Sequence, residues 1–483
     1  MLKRCFSRFA FAVLAVVVSL AFLPTVLVSC ETSVTDPPAD PPGGGDTVPE
    51  LGPWPPANLR HYMKRGVAFG FNTNPPNDGS ATRTDMELLS PGINWFYNWS
   101  SNINQNVRES ALDNGIVFIP QLWNASWNPE TVRTNLQNLI DEGHDIRWIM
   151  TYNEPMLTME ANMTPARAAA DWPRVVQLAN SFDPPLKIVS PAMTFGNMPD
   201  FGNPVVWLRE FFAQPGVYIE DMHAIRIHTY MSHVSAVSSY VRSFQEFGLP
   251  IWVTEFSAWY YVPGGPYAQS PSGGQAEGVQ FQMNFMSMVL TYFELNPIVE
   301  KYFWFNPRTN YAGPNNERHP FHNLLYLPSR LTPLGVVYVN MPHFNINRKE
   351  LWVPAGLRMT AGHITNATTV FSPSNQMVHF RPSTDTAEDR EVLDIHRFHT
   401  GGWIEFQAEV PRGGTGTFSL RNMAPVATTM DIHANDILVA TVNLTQSDEW
   451  RTTEVPLELA EGWYTIRLTV RSGNCAINWL MLD

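Results

Sequence analysis

From Gly66 onward the chain repeats one pattern. A short apolar, β-branched or aromatic run is followed by a polar stretch with helical spacing. Eight such runs can be read, at 66–69, 93–98, 117–122, 148–153, 187–191, 224–228, 251–254 and 301–305. Between them lie helix candidates at 132–143, 164–180 and 275–295, and Pro165 suits a first helical turn. Strands that alternate with helices pair in parallel, because each helix carries the chain back across the sheet. Eight alternations predict an α/β fold, a (β/α)8 TIM barrel, over residues 59–345. An open doubly wound sheet is the runner-up, but no glycine-rich phosphate-binding loop follows the first strand.

The pattern changes after Leu331-Thr332-Pro333-Leu334-Gly335. Residues 346–483 alternate with period two and lack long helical stretches. Runs at 403–410, 437–442, 465–470 and 477–482 read as strands, and Gly413-Gly414 and Arg471-Ser472-Gly473-Asn474 as turns. This predicts an all-β sandwich domain after the barrel.

The other end is different again. Lys3, Arg4 and Arg8 precede an apolar stretch that Pro24 interrupts, the pattern of a secretory signal. A membrane-spanning anchor is the alternative, since 9–28 is about the length of a span. Leu27-Val28-Ser29-Cys30 resembles the bacterial lipobox. That resemblance implies a signal peptide over 1–29 and lipid attached to Cys30. It also implies a membrane-anchored lipoprotein of the cell envelope, exposed outside the cytoplasm. Residues 30–58 hold Pro37, Pro38, Pro41, Pro42, Gly43 to Gly45, Pro49, Pro53, Pro55 and Pro56, and read as a linker.

The formal net charge of −13 argues against nucleic acid as a partner, because its binders neutralise phosphate with Lys and Arg. Three cysteines cannot build a disulfide framework when Cys5 lies in the signal and Cys475 has no obvious partner. No Cys/His cluster, HExxH or GxSxG stands in the chain, so neither a metal nor a cofactor is expected.

Barrel chemistry sits at the carboxyl ends of the strands. The fourth run ends Thr151-Tyr152-Asn153-Glu154-Pro155, and the seventh ends Val253-Thr254-Glu255-Phe256. Each Glu follows a buried apolar run, where an unpaired charge is expensive. Two carboxyls facing each other across a barrel mouth are what glycoside hydrolysis needs: one protonates the leaving oxygen, the other attacks the anomeric carbon or activates water. The negative Glu255 would raise the pKa of Glu154 and keep it protonated.

Asn153-Glu154 and Glu255 resemble the catalytic motifs of the clan A glycoside hydrolases. Residues 66–310 further resemble glycoside hydrolase family 128. The segments that carry this are Asn94-Trp95-Phe96-Tyr97-Asn98-Trp99, Phe118-Ile119-Pro120-Gln121-Leu122-Trp123, Asn153-Glu154-Pro155, Ala224-Ile225-Arg226-Ile227-His228-Thr229-Tyr230 and Ile251-Trp252-Val253-Thr254-Glu255-Phe256. The resemblance implies a retaining β-1,3-glucanase working by double displacement, with carboxyls about 5–5.5 Å apart. It implies Glu154 as acid/base, Glu255 as nucleophile and Asn153 on the sugar 2-hydroxyl. His228 and Tyr230 would orient Glu255 or touch the sugar. The family often has a Gly-Gln pair where this chain reads Met159-Glu160, which leaves the sugar contacts there open.

Sugars stack their C–H faces on aromatic rings. Trp95, Tyr97, Trp99, Trp123, Trp127, Trp259 and Trp304 lie at or just past strand ends and are candidate platforms, with core packing the alternative. Trp148 and Trp252 open their strands and read as core. The final region resembles a family 6 carbohydrate-binding module through His399 to Phe406, Asp448 to Thr452 and Gly473 to Trp479. That implies an accessory sugar site at Trp450 and Asn474. The module's opening acidic motif is replaced here by Val353-Pro354-Ala355-Gly356, so calcium is not expected. Two rivals stand: a clan A hydrolase on mannan, xylan or β-1,4-glucan, and a surface glycan-binding lipoprotein without catalysis.

Overall fold

The computed structural model describes residues 64–69, 83–258, 274–308, 323–326, 329–344, 352–368, 378–387 and 393–483. All of them lie in one compact unit, Leu51–Asp483. The segments read as a signal peptide (1–29) and a linker (30–58), with Cys30, and Trp259 fall outside the described residues.

Each of the eight apolar runs holds a strand: β1 (Arg65–Ala68), β2 (Trp95–Tyr97), β3 (Val117–Phe118), β4 (Trp148–Thr151), β5 (Lys187–Met193), β6 (Met222–Thr229), β7 (Ile251–Phe256) and β8 (Val299–Phe305). They form one parallel sheet in the order β3-β2-β1-β8-β7-β6-β5-β4. The two end strands meet through a bridge between Gln121 and Met150. There Met150 N–H donates to Pro120 O and Leu122 N–H to Met150 O, both at 2.9 Å. The sheet therefore curls round in the manner of a TIM barrel.

Among the described residues, eight α-helices connect the strands or follow them: α1 (Arg83–Leu89), α2 (Gln105–Asp113), α3 (Pro129–Asp141), α4 (Pro165–Ala179), α5 (Pro204–Phe212), α6 (Val234–Arg242), α7 (Gly274–Leu295) and α8 (Pro333–Asn340). Four share one starting device. Asn128, Thr164, Asn203 and Thr332 cap α3, α4, α5 and α8 with a side-chain oxygen, and a proline follows each cap. The cap satisfies an orphan N–H, and proline has none to lose.

Side chains alternate across a strand, so the interior is filled from every second residue. At the amino end, Lys301 lies over the rings of Trp95, Trp148 and Trp252, its Nζ 4.1, 4.7 and 4.8 Å from their centroids. Burial pushes the Lys301 pKa down to about 8. Gly66 is required at this level, because a Cβ there would stand 2.7 Å from Phe303 and from Trp95 O. Higher up, Arg226 is wholly buried. It donates through Nε to Thr254 Oγ1 (2.7 Å), through Nη1 to Thr151 O (3.2 Å) and through Nη2 to Gln121 Oε1 (3.1 Å). On β6 the alternation Ala224, Arg226, His228 leads up to the carboxyl-end mouth.

Outside the sheet, α7 is tied down by Glu294. Tyr302 OH donates to it, His343 Nδ1 is 3.1 Å away and Arg65 Nη2 3.6 Å. Burial opposes ionisation of Glu294, but His343, Arg65 and Lys64 outweigh it and hold its pKa at about 2.

The described residues from 352 onward build two six-stranded sheets. One runs Trp352–Pro354, Trp403–Val410, Gly462–Ser472, Thr428–Ala434, Ile437–Leu444, with Ile364–Ala367 also paired to Trp403–Val410; the other runs His379–Pro382, Leu393–His399, Asn474–Leu482, Gly414–Ala424, Ser447–Leu459, with Arg358–Thr360 also paired to Asn474–Leu482. Ile404, Phe406 and Leu468 of the first sheet and Phe418, Leu420 and Ile477 of the second join one apolar core. Gly473 turns the chain into its last strand at φ 98°, where a Cβ would meet Thr428 Oγ1 at 2.5 Å. This region packs on the barrel-like part: Phe380 N–H donates to Ser287 Oγ on α7 at 3.0 Å. Cys475 is a buried free thiol whose pKa burial raises to about 12.

Candidate active site

Glu154 lies three residues past the end of β4, and Glu255 lies near the end of β7. Between them stands β6, where a register shift after Ile227 sets His228 opposite Glu255. His228 Nδ1 is 2.7 Å from Glu154 Oε1 and 3.4 Å from Glu255 Oε2. One atom of each of the three side chains lies within 4.8 Å of the other two. Glu154 reaches this position with φ 42°, a left-handed conformation that L side chains seldom adopt. Such backbone is held only where surrounding structure enforces it. Here Leu157 N–H to Glu154 O (2.9 Å) and Ala161 N–H to Asn153 O (3.0 Å) do so.

The two carboxyls have different surroundings. Burial raises the Glu154 pKa to about 7, with Arg226 opposing. Sequence reasoning assigned that rise to the charge of Glu255; the structure assigns it to desolvation. Glu255 instead collects donors. Tyr97 OH (2.9 Å) and Trp99 Nε1 (2.8 Å) donate to its Oε1, and Tyr230 OH to its Oε2. Burial holds the His228 pKa down at about 3, so a neutral imidazole separates the two acids. The trio is compact enough for a metal ion, but three donors already occupy the oxygens of Glu255. That donor set suits proton handling by Glu154 beside a second carboxyl fixed in place by three donors.

Asn153 is buried at the same mouth. Its Oδ1 accepts from Gln121 Nε2 at 3.2 Å, and its Nδ2 donates to Glu160 Oε2 at 3.0 Å. Burial raises the Glu160 pKa; the Asn153 bond lowers it and the Glu154 charge raises it further.

The aromatic candidates divide. Trp123 is half-buried, and its carbonyl accepts Asn153 N–H at 2.8 Å, so it borders the site. Trp99 is half-buried, with its indole N–H spent on Glu255. Tyr97 is fully buried and acts through its hydroxyl, not as a platform. Trp95 is a correction: it faces Lys301 and Trp148 at the opposite end of the interior, because Trp95 and Tyr97 lie two residues apart along one face. Trp304 is another correction. It is fully buried on the outer face between Phe256 and Tyr338, at centroid distances of 5.2 and 5.9 Å. Its neighbour Phe305 faces inward instead, edge-on to Trp99 (5.9 Å) and Tyr230 (5.5 Å). The period-two pattern of β8 held the signal for that exchange. Trp127 is an anchor: its N–H donates to Asp171 Oδ2 at 2.7 Å under the Arg174 guanidinium.

Sequence reasoning passed over Arg226, Gln121 and Phe305. The alternation Ala224, Arg226, His228 pointed to the first. Nothing local pointed to Gln121, whose role depends on three other strands.

In the all-β region, Trp450 Nε1 donates to Thr384 Oγ1 at 3.2 Å. The amide oxygen of Asn474 is buried without a hydrogen-bond partner. Their strands are separated by Gly414–Ala424.

A parallel TIM-like sheet with two carboxyls at the carboxyl ends of its fourth and seventh strands defines a class of sugar-cleaving folds. Residues 66–338 match the family model described as glycosyl hydrolase catalytic core, and the chain belongs to this family. An endo-β-1,3-glucanase of family GH128 (subgroup II) from Pseudomonas viridiflava is 31% identical; the match covers 58% of this chain and 98% of that one, with a TM-score of 0.47. The corresponding enzyme from Sorangium cellulosum is 26% identical over 57% and 97%, with a TM-score of 0.46. Alkali-sensitive linkage protein 1 of Schizosaccharomyces pombe is 24% identical over 260 residues, which span 52% of this chain and 41% of the yeast protein.

Proposed function

We propose that this chain is a retaining glycoside hydrolase that cleaves β-1,3-glucan. The observation that carries the catalytic reading is the trio Glu154, His228 and Glu255, with one oxygen of each carboxyl within 4.8 Å of the other. So close an approach supports the retaining geometry of about 5–5.5 Å over the wider spacing of an inverting site. Glu255, held in place by Tyr97, Trp99 and Tyr230, attacks the anomeric carbon and expels the glucan oxygen. Glu154, kept protonated by burial, gives its proton to that oxygen. Water then replaces Glu255, with Glu154 taking the proton back. His228 keeps the two acids apart and aligned. Asn153 meets the sugar 2-hydroxyl, and Trp123 and Trp99 border the sugar. The substrate follows from the family 128 segments, which carry these same residues in order.

Residues 59–345 form the catalytic domain in this reading, and 346–483 an accessory sandwich whose Trp450 and Asn474 contact glucan. The basic start, the apolar stretch and the Leu-Val-Ser-Cys motif support a signal over 1–29, a linker over 30–58 and a lipid on Cys30. The protein then stands on a membrane outside the cytoplasm. Incorporation of labelled palmitate, absent in Cys30→Ala, tests the anchor.

The substrate test is reducing-end release by residues 57–483 on β-1,3-glucan, β-1,4-glucan, β-mannan and xylan, beside Glu255→Gln. Release from β-1,3-glucan alone, lost in the variant, is expected. Release from another glycan replaces the substrate; glucan binding without release replaces the catalytic reading.

A further inference from the structure

Asn153 is held from both sides by groups that leave its amide only one orientation. At one end is Arg226, fixed inside the sheet by Thr254 and Thr151. A guanidinium only donates. Gln121 must therefore turn its oxygen to Arg226 Nη2 (3.1 Å), which points its Nε2 at Asn153 Oδ1 (3.2 Å). Asn153 then faces Glu160 with Nδ2, and a carboxylate accepts at 3.0 Å. The chain of bonds runs from a cation to an anion, through two amides, in one sense. Turning either amide over would set donor against donor at one end and acceptor against acceptor at the other. Backbone bonds fold Glu160 back over Asn153: Glu160 N–H donates to Leu157 O (3.1 Å) and Ala161 N–H to Asn153 O (3.0 Å).

We propose that Gln121 and Glu160 are positioning residues that fix which end of the Asn153 amide meets the sugar. Each amide atom of Asn153 keeps one bonding position beyond this chain: the second hydrogen on Nδ2 and the second lone pair on Oδ1. Their order in space is set by the charges of Arg226 and Glu160. A Glu160 carboxylate can only accept, so it closes the chain in the same sense in which Arg226 opens it. The consequence for catalysis rests on the reading above that Asn153 meets the 2-hydroxyl.

The orientation is tested first without substrate. In 15N-labelled protein the Asn153 side-chain amide signals are those lost in Asn153→Asp. They are expected to shift in Glu160→Gln and to shift further in Gln121→Glu, which replaces the donor facing Asn153 by an acceptor. Signals unmoved in both variants overturn the proposal. The catalytic consequence is read from kcat/KM on an aryl β-laminarioside and on its analogue lacking the 2-hydroxyl of the cleaved sugar. The wild type is expected to prefer the hydroxylated substrate, and Gln121→Glu to reduce that preference at least about tenfold. Adding Glu160→Gln to Gln121→Glu rebuilds a satisfied chain in the reverse sense. Stability is then expected to return while the 2-hydroxyl preference stays lost. A double variant that regains the preference overturns the proposal, since any satisfied chain would then serve. A wild type that cleaves neither laminarioside defeats the substrate reading, and the amide signals still decide the orientation.

Discussion

Nδ1 of His228 stands 2.7 Å from Oε1 of Glu154, in a site where burial keeps the imidazole neutral. Burial likewise raises the pKa of the neighbouring acid to about 7, so it holds its proton up to the edge of neutral pH. Desolvation penalises the charged form of both groups, in opposite directions on the pH scale. One physical cause therefore makes an acid of Glu154 and a neutral spacer of His228.

The pH profile follows. Glu154 must carry its proton to act, and its pKa is about 7. kcat/KM is expected to fall tenfold per pH unit above about 7 as that proton is lost. Glu154→Gln should lose most activity on natural glucan and with it the alkaline limb. A profile still flat at pH 9 contradicts the assignment.

Tyr230→Phe and Trp99→Phe each remove one donor from Glu255. A hydrogen bond to a charged group is worth about 1.5–3 kcal/mol. Each variant should lose roughly 10- to 150-fold in kcat/KM. Thermal stability should change little, since both residues sit at the mouth. Steady-state kinetics with a melting curve checks this.

Trp123 and Trp304 should behave in opposite ways. Trp304→Ala empties a site enclosed by Phe256 and Tyr338 and should cost about 3–5 kcal/mol of stability. Trp123→Ala should leave the denaturation midpoint nearly unchanged and raise KM roughly tenfold, equivalent to about 1.4 kcal/mol of binding. Urea unfolding and Michaelis kinetics on both variants separate the roles.

Glu294→Gln removes the anion that Arg65 and His343 surround. Breaking a buried pair from one side costs about 3–5 kcal/mol, because the remaining charge is left uncompensated. The wild-type advantage should be full near pH 7. It should shrink as pH falls below about 4.3 toward the folded pKa of about 2, where the unfolded chain already binds the proton.

Lys301 has a linkage of the same sign in a higher pH window. Its folded pKa is about 8, below the unfolded value of about 10.4. Between those limits the unfolded chain binds more protons, so wild-type stability relative to Lys301→Met should rise with pH across that window. A difference that stays constant from pH 8 to 10 would show that the three indole faces hold the ammonium as well as water does.

Strand content, the helix start at Pro165 and the two glutamates were legible in the chain because each rests on local chemistry. Apolar runs must be buried. Proline has no N–H to lose in a first helical turn, and a Glu ending a buried run must find a use for its charge. The Asn128 cap and Pro129 start α3 ahead of the 132–143 stretch read from apolar spacing. Facing was only half legible: Trp304 and Phe305 are adjacent aromatic residues, and choosing between them requires the phase of β8. The partners of Glu255 come from β2, the loop after it and the residue following β6. Gln121 acquires meaning only when Arg226, 105 residues away, arrives beside it. What the sequence alone determined was which segments pair and which groups carry charge. Tertiary structure decided which of those groups lose water, and with it the pKa of Glu154, because desolvation is set by neighbours that packing brings from every part of the chain.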